Sequence, residues 1–522
     1  FIPPPHLPEM SFASEKDLGV AFPFTGRKRS TTVYGLALLH GMNEMLGVST
    51  RVGSKEWRWG YMPHVVRTVE ALANSEEKAL VAACRFCVDH VYSSMRFVKH
   101  DGTEVGLKEA MEAPKDPTRT FGTQVVEGEI DGLGSWRDVS VQYEGQAWSK
   151  DALEKLVSAW ATAGRIDRSA VESVKFFNSL DKIDLKNTYF LLLGATSEMG
   201  PLDFLLELGA NVLAVARPDS KNKKKWERLR KMAKGSRGKL ICPTLNGNPG
   251  ADLLTQTPEI AAWVTSVVPA NSQLVVCNYA YMDGGDFVRV TAAMDAITRQ
   301  VAAKHHTNKL TLATVDTPSH AHVVPNVCKS FSEQYFQSVP TYQRFLNKIG
   351  VLKPNCFKTT RNGLLADGLV AMQGPNYALA KLIQRSRSIL AHSSGIKVSS
   401  TIGPPTATDS VLHAPGVGDA LKQMYRFKPF AYYRVHTVKP LLFMLLINDL
   451  LNPASKANPN NGEILSFLTE NAWDGGVWSG AFLHRSVGKI AFAHHVVEKY
   501  ATHAAVVAVL VGLVAMRTMI WR

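Results

Sequence analysis

The sequence predicts an α/β protein: a Rossmann-like doubly wound parallel sheet, with a mostly helical unit before it and a membrane-associated helix at its C-terminal end. Three observations carry this. Residues 188–217, TYFLLLGATSEMGPLDFLLELGANVLAVAR, read as strand, glycine turn, helix and strand, the order of a dinucleotide-binding unit. From residue 184 onward, short apolar runs alternate with helical segments, which implies parallel strands joined by right-handed crossovers. Residues 500–516, YATHAAVVAVLVGLVAM, are apolar except at Thr502 and His503, and Arg517, Trp521 and Arg522 follow them, as at the end of a membrane anchor.

The elements can be justified in order. The start FIPPPHLPEM is an extended Pro-rich arm. Residues 31–46 and 61–98 have helical periodicity, and 101–141, rich in Gly, Pro and charge, reads as loop with a short hairpin. Helices return at 150–163 and 169–180, behind the capping residues Ser149 and Asp167. These segments form a first domain over 1–184, read as a helical docking domain. The second domain, 185–415, opens with a strand at 189–193, whose five apolar or aromatic residues suit burial on both faces. Gly194 gives the tight turn, and Gly200 opens a helix at 201–208 whose N-terminus would face phosphates. Further strands are expected at 239–242, 273–277, 309–315 and 396–402, with helices at 258–268, 286–304 and 376–392. Roughly sixty residues, 316–375, separate the fifth strand from the last of these helices; that exceeds a normal connection and marks an insertion, a lid or a partner surface. The third region, 416–522, contains the apolar run 440–447, too short to cross a membrane, and the anchor at 500–516.

Composition narrows the classes. Hydrophobic content of 45% and charged content of 20% describe a folded chain, not a disordered one. The net charge of +14 suits an anionic surface, a nucleotide phosphate or a basic organellar proteome. Much of the excess is local, because residues 221–239 hold ten Lys or Arg against the single acid Glu227. No aromatic interleaving of the kind used to stack single-stranded bases accompanies that run, so no nucleic-acid partner is expected. Six scattered cysteines imply a reducing compartment rather than a disulfide framework. Cys84 and Cys87 lie in a helical pattern without a second CxxC, and read as core. The adjacent pairs His305/His306 and His494/His495 point different ways in regular structure, and no metal is assigned. A first residue of Phe1 fits a removed targeting peptide; with the tail, this predicts an organellar membrane, mitochondrial first and plastid as the alternative.

Over residues 185–409 the chain resembles the short-chain dehydrogenase/reductase superfamily. Four landmarks in the family's order carry the resemblance: GATSEMG at 194–200, CNYAY at 277–281, GPNYALAK at 374–381 and Gly403-Pro404-Pro405 after strand six. It implies a cofactor held by Gly194, Thr196, Ser197 and Gly200. It also implies a catalytic Tyr377, a Lys381 that tunes the phenol and holds the nicotinamide ribose, and an Asn278 that supports a proton relay. Tyr377 and Lys381 are four apart on one helix face, so an ammonium near the phenol would lower its pKa towards working pH. Arg217, at the end of strand two with Lys221 and Lys223 nearby, favours NADP over NAD.

Two departures qualify the resemblance. Residues 362–373 contain no Ser or Thr where the family's catalytic Ser belongs; Ser319 or Thr317, after strand five, could take its place if the insertion loops out. Glu198 replaces the middle glycine and would set a carboxylate beside a pyrophosphate. Two readings therefore stand side by side: a membrane-anchored NADP(H)-dependent carbonyl or enoyl-type reductase, and a catalytically impaired reductase-like accessory subunit of an organellar membrane complex.

Overall fold

A computed structural model describes residues 17–500 of the chain, apart from 50–52, 54–56, 115, 133, 135–138 and 415. First come helices α1 (Thr31–Met45), α2 (Trp57–Asn74) and α3 (Glu77–Ser94), strand β1 (Gly122–Glu127), and helices α4 (Lys150–Thr162) and α5 (Ser169–Ser179). The alternating section follows: β2 (Thr188–Leu193), α6 (Leu202–Glu207), β3 (Asn211–Val215), α7 (Asp219–Lys234), β4 (Lys239–Leu245), α8 (Thr257–Val267), β5 (Gln273–Asn278), α9 (Gly285–Ala302) and β6 (Leu310–Asp316). The insertion supplies β7 (Ala321–Val324), α10 (Val327–Gln337), α11 (Thr341–Lys348), β8 (Phe357–Thr360) and β9 (Gly363–Asp367). Last are α12 (Gly374–Ser393), β10 (Lys397–Ile402), α13 (Val417–Gln423), α14 (Val435–Leu451) and α15 (His484–Tyr500).

Strands β4, β3, β2, β5, β6 and β10 lie side by side in that order, and every neighbouring pair is parallel. This is the doubly wound, Rossmann-like order expected from the alternation. Chain progression reverses between β2 and β5, so the carboxyl ends of those two strands flank the switch-point crevice where such sheets bind ligands. β1 extends the sheet antiparallel to β4, with Glu127 opposite Lys239. That corrects the reading of 101–141 as loop and hairpin alone. The side chains of β1 are almost all exposed, so its sequence carries no alternation to betray a strand.

Two other expectations change in detail. The single helix over 61–98 is two, because Glu76 is extended at φ −67, ψ 154, and residues 96–98 form a short strand. The helix after the glycine turn has only six residues, with Pro201 as its N-cap, and Gly209 at φ +80 turns the chain away.

Both faces of the sheet are buried, as parallel strands require. One face sets Leu191, Leu193, Leu274, Val276 and Leu312 against α9 and α12, and α1–α3 join the same core. The other sets Phe190, Leu192, Val275 and Cys277 against α4, α5 and α14. The run 440–447 is thus a core helix: Phe443 stacks on Phe204 at 4.8 Å and meets Phe177 at 6.3 Å between ring centroids. Cys84 and Cys87 are buried, and burial pushes the Cys84 thiol up to about 12, which matches the core reading.

The insertion is an ordered unit rather than a bare loop. β7, β9 and β8 form an antiparallel sheet in that order, and its apolar side shares a third core with α13 and α15. The anchor expected at 500–516 lies outside the described residues, except for Tyr500 at the end of α15. Among the described residues no helix is long and apolar enough to cross a membrane.

Below the second face, the Asp449 carboxylate accepts from Ser399 Oγ at 2.6 Å and Ser455 Oγ at 2.9 Å, and Ser455 also reaches Glu470 at 3.0 Å. Burial, and then the nearby Glu470 charge, raise Asp449 from 3.8 to about 7 against the Ser399 hydrogen bond. The folded state therefore holds a proton that the unfolded chain has lost between those values, and stability falls as pH rises through that window. Asp449→Asn is expected to gain stability relative to wild type as pH goes from about 5 to about 8, read as the pH dependence of Tm. Phe443→Ala should cost about 3–5 kcal/mol by chemical denaturation.

Candidate functional site

The turn after β2 is built as a close approach of two backbones. Gly194 sits at φ +102, and a Cβ there would lie 2.7 Å from the Ala280 backbone. Glycine is thus required by the segment after β5, which packs over the turn. Gly194 and Ala195 N–H both donate to Val215 O, at 3.1 and 3.0 Å, and Gly200 N–H donates to Ser197 O at 3.0 Å. The N–H groups of Thr196, Glu198 and Met199 find no acceptor among the described residues. Thr196 is exposed and Ser197 half-buried. The Glu198 carboxylate faces away from the turn and accepts from Asp409 N at 3.3 Å.

Arg217 follows the end of β3, as expected. Its side chain is 59% exposed and lies 4.0 Å from Asp252, while its carbonyl accepts from Trp226 Nε1 at 2.8 Å. Asp252 Oδ1 accepts from Leu254 N and Thr255 N, and its Oδ2 faces the guanidinium, whose exposed side remains open to an anion.

On the first face of the sheet, Tyr377, Lys381 and Arg385 stand one helical turn apart along α12 and meet the end of β6. Tyr377 is half-buried against Phe287 at 5.3 Å and Tyr281 at 6.3 Å. The Thr317 side chain lies near enough to its hydroxyl to lower the phenol's pKa. Of the two candidates Thr317 is the one beside the phenol; Ser319 is buried and donates its backbone N–H to Thr317 Oγ1 at 3.2 Å. Lys381 does not reach for the phenol. Its Nζ donates to Val315 O at 2.7 Å and Gln384 Oε1 at 3.1 Å, and stands 5.9 Å from the Tyr377 ring centre.

The expectation of a lowered phenol pKa is overturned. Burial pushes the Tyr377 hydroxyl up, the Thr317 side chain pulls it down, and the Asp316 charge raises it again; the net direction is up. Lys381 is lowered to about 8, chiefly by burial, with Asp316 opposing and Arg385 assisting. Asn278 is buried at the end of β5, where its Nδ2 donates to Thr298 Oγ1 at 3.3 Å. That bond ties β5 to α9 and turns the amide away from Tyr377.

A group the sequence reading missed holds this arrangement. Arg385 donates from Nε at 3.1 Å and Nη2 at 2.8 Å to Asp316 Oδ2, and from Nη1 to Ala321 O at 2.8 Å. Both ionic side chains are under 10% exposed. Asp316 Oδ1 accepts from Thr317 N at 2.8 Å. Burial drives the Asp316 carboxyl up, but Arg385, His322, Lys381 and His320 together hold it well below the carboxylate range. His320 takes Ala321 N–H on Nδ1 at 2.9 Å and points Nε2 at Ala378 O, 3.2 Å away; His322 Nε2 faces Thr317 O at 2.8 Å. Burial, then the Arg385 charge, lower both imidazoles, His320 to about 4. They are neutral at physiological pH and act as hydrogen-bonding struts. The visible signal was DTPSHAH at 316–322, an acid and two histidines straight after a strand.

A cavity of about 420 Å³ opens elsewhere, between α5, α10 and the loop holding Asp474 and Trp478. It touches neither the glycine turn nor α12.

No protein-family model and no curated protein matches the chain. Among solved structures it is similar to the reductase (R) domain of a nonribosomal peptide synthetase from Mycobacterium tuberculosis. That likeness runs over 58% of this chain and 71% of that one, at 12% identity and a TM-score of 0.26, too loose to carry an argument. The Rossmann-like assignment rests on the strand order alone.

Removing one member of the buried ion pair leaves the other charge stranded. Arg385→Met is expected to destabilise by about 3–5 kcal/mol, and Asp316→Asn with Arg385→Met by less than the sum of the singles. The depressed Asp316 carboxyl contributes stability above its ordinary value of 3.8, lost as pH falls through that value and below. Acid unfolding of Asp316→Asn should accordingly be shallower than that of wild type.

Proposed function

We propose that the chain is an NADP(H)-binding oxidoreductase that reduces a carbonyl or enoyl group. The observation that carries this reading is Tyr377, one turn before Lys381 on α12 and beside Thr317, placed where β6 ends on a sheet of Rossmann order. The residues fit the dinucleotide such a sheet would take. Free N–H groups of the turn at 196–199 suit a pyrophosphate, and the exposed Arg217 suits a 2′-phosphate. When bound, the reduced nicotinamide supplies a hydride.

The chain's own residues supply the proton and the geometry. Tyr377, kept protonated by burial, can give its Oη proton to a carbonyl oxygen as negative charge develops there. Thr317, beside that hydroxyl, offers a second donor. Lys381 serves by bracing the end of β6 through Val315 O. Asp316 is fully engaged with Arg385 and Thr317 N, and holds position without acting as a base.

A second reading, an impaired reductase-like accessory subunit, is favoured by two facts. Ala280 packs on Gly194, and Tyr377 lies under Tyr281 and Phe287. Under either reading we assign the apolar sequence 500–516 to an organellar membrane, mitochondrial before plastid.

Fluorescence titration with NADPH and NADH tests the assignment. Wild type is expected to prefer NADPH. Arg217→Ala should weaken NADPH by about tenfold and spare NADH, and Glu198→Ala, removing a carboxylate turned away from the turn, should change neither. Tyr377→Phe should keep binding but lower carbonyl turnover by about 10²–10⁴-fold. Absence of NADPH binding by wild type overturns the cofactor assignment; binding without turnover on any carbonyl or enoyl substrate favours the accessory reading.

A further inference from the structure

Large apolar side chains left exposed gather around α15. Tyr342 (39% exposed) and Phe345 (59%) lie one turn apart on α11; Tyr425 (55%) lies just after α13; Phe492 (42%) is on α15 itself, with Leu412 (41%) and Met372 (47%) beside it. Contacts join α11 and the residues next to Tyr425 to one side of α15. The Tyr342 ring meets His494 of α15 at 5.6 Å, Gln343 Nε2 donates to Arg426 O at 2.9 Å, and Arg426 lies 3.7 Å from Glu498. Phe492 is two residues from His494 and therefore lies on the other side of α15, where it covers Gly416, with Met372 at Gly488, apart from that surface. Scattered exposed apolar residues are ordinary, but a contiguous patch rimmed by charge marks an interaction site.

The charge and the chain's course decide the partner. Arg344, Lys348 and Lys428 border the aromatic residues and have no carboxylate partner among the described residues, and Lys422 lies 3.9 Å from Asp419. At the start of α15, Arg485 and Lys353 crowd Lys489; burial and their charges lower its pKa. The acids in this region are partly matched already: Asp419 faces Lys422 and His495, Glu498 faces Arg426, and Asp367 faces Arg485. From α15 the sequence runs directly into ATHAAVVAVLVGLVAM and a terminal Arg, Trp and Arg. Exposed aromatics beside unpaired cations, on the helix that leads into an apolar segment, have the composition of a surface that lies on a bilayer.

We propose that the face made by α11, Tyr425 and α15 rests on an anionic lipid surface, its aromatic rings entering the headgroup boundary and Arg344, Lys348 and Lys428 meeting lipid phosphates and carboxylates. This rests in part on the membrane assignment of residues 500–516, and it adds a second contact that orients the reductase-like body.

Flotation of the full chain with vesicles of phosphatidylcholine, alone or mixed with phosphatidylserine, tests it. Wild type should float with both and more strongly with the mixture. Tyr342→Ser/Phe345→Ser/Tyr425→Ser, with Tm unchanged, should partition at least about tenfold less onto either vesicle. Lys348→Glu/Lys428→Glu should erase the preference for phosphatidylserine. Val507→Asp/Leu510→Asp isolates the tail: flotation lost there but unchanged in the aromatic triple variant leaves the tail assignment standing and sinks the surface proposal. The opposite pattern keeps the surface and removes the tail. Flotation of neither vesicle by wild type overturns both, and a wild-type dimer that the triple variant dissolves assigns the patch to a second copy instead.

Discussion

The buried pair Asp316–Arg385 fixes the rest of this protein's chemistry. It sits where β6 ends and the chain leaves the sheet for its insertion, so one interaction closes three elements: β6, α12 and the entry to β7. A lone carboxylate in that position would cost several kcal/mol of desolvation. The sequence answers with a forked guanidinium, a backbone N–H from Thr317 and two imidazoles that burial, then the Arg385 charge, keep neutral. With Arg385 pinned, the register of α12 against the sheet is set, and Lys381 and Tyr377 follow at one-turn intervals.

The same logic explains the glycine turn. Gly194 looks in sequence like a residue reserved for a ligand, yet its φ of +102 and its approach to Ala280 are demanded by the protein's own packing. The two demands coincide in a Rossmann sheet, because the switch point is where adjacent crossovers leave on opposite faces and the backbones crowd. Glu198 then marks where they part: the turn tolerates a side chain there because it points outward to Asp409.

The sheet was legible because burial on both faces forces continuous apolar strands, and the crossover helices carry ordinary amphipathic spacing. β1 was not, since an exposed edge strand has no buried face to impose a pattern. The run 440–447 could be placed only as too short to span; that it lies against Phe204 and Phe177 depends on contacts between residues more than 200 apart in sequence. Within the site, the positions of Tyr377, Lys381, Asn278, Arg217 and Gly194 followed from order along the chain. Their partners did not. Thr298 takes Asn278, Val315 O takes Lys381, and Thr317 lies beside Tyr377, each through tertiary approach that spacing does not encode.

The phenol shows what that difference means for chemistry. An i,i+4 spacing puts an ammonium within reach of Tyr377, but reach is not contact. A buried ammonium seeks strong acceptors, and the Val315 carbonyl at 2.7 Å with the Gln384 amide satisfies it better than a neutral phenol could. Drawn off to β6, Lys381 no longer offsets the desolvation that Phe287 and Tyr281 impose on Tyr377. The phenol stays protonated, which suits it to donate a proton and unfits it to remove one. For the proposed reduction such a phenol is placed to protonate a developing alkoxide, and neither Tyr377 nor the fully engaged Asp316 is set to act as a base.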